Sequence, residues 1–318
     1  MSNRGFTVVY PGPARLTLVA LFAIPAAMAY PWHTDIQRWI LGVAVAVALL
    51  ALSWWRGAHL STQAWRRLAM LVPRRGGHGV HAGLDRGATD ARTTAVLSVR
   101  GGPEATELPL ALIAGYRDRY GVRADGVRIV QCETADGTSI FIGLTIAAAP
   151  NLAALQARSS AIPLWDTAEA AARRLADQLR ELGFDAVPAV EIEVPELLGP
   201  EAKARWRTVS DGGAGYVTGY ALQADSGLPE AIDELWAADC TERWTVAEIR
   251  GDGVAVAAAV RTDDAPESDG SGLIAVRGRQ AAALAALHPM SVRPVLAACG
   301  PIELLDELSW PVAEALKA

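Results

Sequence analysis

Residues able to do chemistry are few in this chain, and their spacing commits none of them to a reaction. His78 and His81 lie three apart within RRGGHGVHAG (74–83). That spacing can serve a metal ion, but neither has a Cys or acidic neighbour to complete a ligand set. His288 stands alone before a proline and reads as a helix-end residue rather than a general base. Cys132, Cys240 and Cys299 are far apart, odd in number and without a CxxC pair, which favours reduced, buried thiols over a disulfide framework. Glu191 and Glu193 alternate along a strand, Asp233 and Glu234 fit a solvated helix face, and Asp263 and Asp264 belong to an acidic loop. Gly213, Gly215 and Gly219 miss the GxGxxG spacing and read as a turn entering a strand. GxxxxGK[ST], HExxH and GxSxG are absent. No catalytic, cofactor-binding or metal-binding residue is assigned, although loop carboxylates keep catalysis open.

The residue types with the clearest physical purpose are arginine and tryptophan at the edges of apolar runs. Residues 16–32 (LTLVALFAIPAAMAYPW) and 39–55 (WILGVAVAVALLALSWW) carry no charge. Each would make about 26 Å of helix, near the short limit for crossing a bilayer. Only HTDIQR (33–38) separates them, so they read as a transmembrane hairpin with Pro25 kinking the first helix. Trp32, Trp39, Trp54 and Trp55 mark the run ends, as interfacial aromatics do. Gly42, Ala44, Ala46 and Ala48 would let a neighbouring helix pack closely, or simply face lipid. Ala27-Met28-Ala29 has the small-residue form of a signal-peptidase site, but the short turn into a second apolar run favours retention.

Charge sets the direction. Segment 1–80 holds eight arginines and one acid, a net of +7, which leaves −13 for the remainder. Arg4 and Arg15 precede the first run, and Arg56, Arg66, Arg67, Arg74 and Arg75 follow the second, so both ends belong in the cytoplasm of a multi-pass inner-membrane protein. LSTQAWRRLAMLVP (60–73), with Trp65 beside its apolar face, fits an interfacial or a linker helix. The acidic remainder argues against a nucleic-acid partner.

Beyond residue 91 the elements run in two similar sets. Strand 94–100, helix 107–121, a hairpin over 126–146, a helix over WDTAEAAARRLADQLRELG and strand 185–194 form the first. Asp166 and Glu169 have capping-box spacing, and Gly183 supplies the stop. Strand 215–223, helix 227–240, a hairpin over 243–262, a short extra strand at LIAVRG, helix 278–288 and strand 291–298 form the second. The hairpins' Asp-Gly turns, Asp136-Gly137 and Asp252-Gly253, are 116 residues apart. The expected class is α+β, with mainly antiparallel sheet, helices on one face and a possible duplicated βαββαβ unit. The expected domains are the hairpin (1–56), a basic juxtamembrane helix and linker (57–91), and a cytoplasmic domain in two halves (92–200 and 201–318).

The paired apolar runs, the exit WWRGAHLSTQAWRR (54–67) and the acidic α+β domain over about 92–300 together resemble the EccE family. Its members are components of the type VII (ESX) secretion machinery of mycobacteria and related actinobacteria. The short chain is most similar to the compact ESX-3-type members. The resemblance implies a non-catalytic structural subunit of an inner-membrane export complex, with no cofactor and with EccB, EccC and EccD components as partners. A membrane-anchored transferase or a metabolite-binding sensor is the alternative reading of the same layout.

Overall fold

The computed structural model describes residues 21, 23, 24, 27, 28, 34, 35, 38, 39, 41–45, 54, 55, 58 and 59. It then describes 91–312 except 104, 160, 161, 190–193, 252 and 267–271. The chain forms two compact units, residues 1–75 and 76–318.

In the first unit the described positions between Leu21 and Val45 are mainly helical. Trp54–Trp55 pairs with Ala58–His59 as a short antiparallel ladder. The helix expected to run to residue 55 therefore ends earlier, and aromatic residues readily take up this extended backbone. Among the described residues no helix is long and apolar enough to cross a membrane.

The second unit is built on one mixed-length antiparallel sheet with helices on both sides, an α+β architecture. Its elements are β1 (Arg92–Arg100), α1 (Leu110–Gly115), β2 (Asp118–Arg119), β3 (Val122–Arg123), β4 (Gly126–Thr134), β5 (Gly137–Ala147), α2 (Leu152–Arg158), α3 (Leu164–Glu181), β6 (Asp185–Pro188), β7 (Lys203–Ala204), β8 (Val209–Ser210), β9 (Tyr216–Leu222), α4 (Leu228–Ala237), β10 (Glu242–Arg250), β11 (Gly253–Thr262), β12 (Leu273–Ala275), α5 (Gln280–Leu287) and β13 (Gly300–Pro301). The main sheet runs β6-β1-β5-β4-β10-β11-β9-β8-β7, with β12 also on β9 and β13 on β11; β2 and β3 pair separately. From its centre the sheet thus reads β4-β5-β1-β6 one way and β10-β11-β9-β12 the other. The centre itself is the antiparallel pair β4–β10, where Val130 faces Val246, 116 residues further on.

Local chemistry explains most elements. The β4–β5 hairpin pairs Thr134 with Gly137, so the two-residue loop is Ala135-Asp136 and Gly137 is the first strand residue. Gly137 has a φ of +124°, a conformation that L side chains rarely adopt. The central strands are buried on both faces, hence their nearly continuous apolar sequence. On one face Leu97, Ile129, Ile142 and Val256 form a core with α3, α4 and Trp310. On the other, Val130, Phe141, Trp244 and Ala257 pack against Leu284 and Leu287 of α5. Helix α3 buries Ala168, Ala172, Leu175 and Leu179 on one stripe and stops at Gly183, φ +88°. Leu182, expected in the stripe, is half exposed.

Several expectations need correction. Helices lie on both faces, because α5 is seated opposite α3 and α4. Helix α1 covers only six residues, and the rest of its expected length folds into the β2–β3 hairpin around Tyr120-Gly121, both at positive φ. No capping box forms at α3: its N-cap is Pro163, and Glu169 pairs with Arg173 instead. Strand β6 ends at Pro188, and Glu191 and Glu193 lie outside the described residues. Residues 291–298 form no strand; the outer edge of β9 is taken instead by β8 along one end and by β12, which precedes α5, along the other. Cys132 is buried and Cys240 half-buried, but Cys299 is exposed; none is in a disulfide.

Candidate assembly site

The residues assigned to the membrane and to assembly have uneven coverage. Trp39 is helical and 75% exposed. Gly42 is also helical, and a Cβ there would meet open space. Trp54 and Trp55 sit in the ladder with Ala58–His59. Trp32, Arg56, Trp65, Arg66, Arg67, Arg74 and Arg75 lie outside the described residues, as do His78 and His81. Among the described residues no group of His, Cys, Asp and Glu could hold a metal ion.

Within the sheet unit, arginines join the two halves. At the β4–β10 junction Arg128 faces Glu248 and Arg243 faces Glu133. The first pair lies on the α5 side at 2.8 Å, with both side chains under a tenth exposed. The two terminal nitrogens of Arg128 also donate to the carbonyls of His288, Ser291 and Arg293, at 3.0, 3.0 and 2.6 Å, while its buried Nε has no partner among the described residues. The second carboxylate oxygen of Glu248 accepts from the Val295 N–H at 2.7 Å. This is why 291–298 is not a strand: its backbone groups are spent on an ion pair, and Pro289 and Pro294 bring no donor. Alternating charges inside apolar strands were the available signal for this pair.

The second junction pair holds the end of α4. Arg243 binds Glu133 at 2.7 Å and donates to the carbonyls of Leu235 and Ala238. At the edge of the second half Arg261 joins Glu242 (2.6 Å) to Asp211 (2.8 Å) and binds the carbonyls of Leu197 and Ala214. Each arginine thus ties a loop or helix end to a strand.

His288, at the end of α5, accepts a hydrogen bond on Nδ1 from the Met290 N–H. Burial and the nearby Arg128 cation hold its imidazole below the usual range, with Glu196 opposing them. It reads as a structural helix-end residue, as its place in the sequence suggests.

A second constellation escaped the sequence reading. Tyr116, Arg119, Tyr120, Arg158, Thr167 and Arg174 surround a cleft between α3, the β2–β3 hairpin and the end of α2, with Val122, Ile146, Ala170 and Ala171 as its apolar walls. The Arg119 and Arg174 guanidiniums lie over the Tyr120 ring at 5.4 and 4.8 Å. Gln178 accepts from the Tyr116 hydroxyl and donates to that of Tyr120. Burial, then Tyr120, raises the Tyr116 phenol to about 12, so it stays protonated. The available signal was YRDRYG (116–121), whose Gly121 can supply the positive φ that a tight turn needs.

Comparison with known proteins gives a consistent result. Residues 134–222 match the family described as "Putative type VII ESX secretion system translocon, EccE". The chain is 41% identical over 328 residues to the ESX-3 secretion system protein EccE3 of Mycobacterium tuberculosis (strain CDC 1551 / Oshkosh), covering 96% of this chain and 94% of that protein. It is also 41% identical over 285 residues to the EccE3 of Mycolicibacterium smegmatis, covering 87% and 88%.

Proposed function

The chain belongs to the EccE family of type VII ESX secretion components, and from that premise we propose that it is a non-catalytic structural subunit of an ESX-3-type inner-membrane complex. Its N-terminal hairpin anchors it in the bilayer and its sheet unit lies in the cytoplasm. The observation that carries the anchoring is the outward apolar surface of the first unit. Leu21, Ile24, Met28 and Trp39 are between 59% and 82% exposed on helical backbone. Such surface is costly in water and favourable in lipid. The uncharged runs and the flanking arginines support the same placement, with the second span closing before Trp54. The sheet unit carries the net negative charge and three cysteines outside any disulfide, which suits a reducing compartment.

The strand order mirrored about Val130 and Val246 supports a duplicated βαββαβ ancestry, altered at the end of the second copy. Its large surface beside the bilayer suits docking of EccB, EccC and EccD-type subunits. The test is gentle detergent extraction of the tagged full chain, followed by mass measurement and identification of what comes with it. The expected result is a large assembly containing an ATPase. Recovery as a clean monomer would sink the proposal.

A further inference from the structure

We draw no further inference here: the strongest candidate, the basic surface patch where the β7–β8 hairpin (Lys203, Arg205) meets the turn before α5 (Arg279) through the bond from the Gly278 N–H to the Trp206 carbonyl, carries nothing because nothing in the structure shows what covers it.

Discussion

The two halves of the sheet share a strand order and differ in where their last helix goes. In the first half α3 runs eighteen residues across β1, β5 and β6 and fills one face. In the second half that face is filled by α4 and the segment around Trp310, which meets Trp236 edge-to-face at 5.6 Å. The later helix, α5, has crossed to the opposite side. The difference is written in side-chain volume. On the α5 side β9 and β11 present Gly219, Ala255, Ala257 and Ala259, and a Cβ on Gly219 would stand 3.2 Å from Leu284 Cδ2. Pairing order follows from hairpins and short connections, whereas the side a helix takes follows from where the strands leave room.

That contrast can be broken most forcefully at the junction. Arg128→Ala leaves the buried Glu248 with only its longer 3.8 Å pairing to Arg250 and frees three carbonyls. Chemical denaturation should show a loss of about 3–5 kcal/mol. Hydrogen exchange should quicken first over residues 288–295, with α3 keeping its protection. Equal loss of protection in both halves would mean that the strap is not specific to the second.

A smaller effect tests the volume argument. Gly219→Val should push α5 off β9 and cost about 1–3 kcal/mol by overpacking. The backbone amide of Gly219 would lose its 2.7 Å bond to Gln280 Oε1, visible as faster exchange at that amide. An unchanged midpoint would show that α5 is placed by something other than close approach.

The smallest effect sharpens the comparison through pH. The folded-state pKa of His288 lies below the usual value of 6.5, so its contribution is complete above about pH 6.5. It is lost as pH falls from there through the folded pKa, because the unfolded chain binds the proton more readily. Thermal midpoints measured from pH 7.5 down to 5 should fall, and His288→Asn, which keeps an acceptor for Met290, should reduce that slope. Arg128 and Glu196 are the charged groups acting on this imidazole, so the series is best repeated with Glu196→Gln.

The sequence carried the hairpins, α3 and the α+β class because each rests on local periodicity and turn chemistry. Ala168, Ala172, Leu175 and Leu179 announce one helical face without reference to anything distant. What stayed hidden depends on residues far apart. The fate of 291–298 is decided by Arg128 and Glu248, more than forty positions away from it. The side chosen by α5 is decided by Gly219. The basic cleft assembles from four separate segments, and its only local sign, YRDRYG, is equally readable as the end of a helix.

The chain's last described stretch also closes on its first half. Leu108 donates to the carbonyl of Trp310, Val312 donates to that of Thr106, and Ser309 reaches the Glu107 carboxylate. During synthesis β4 therefore waits with an open edge until β10 emerges, and the stretch before α1 waits for a covering supplied by residues 309–312. A chain cut just short of Trp310 would have this seam unsealed. Such a chain would leave the apolar surface beneath Trp310 uncovered, the kind of exposure that makes a partly folded species prone to aggregate.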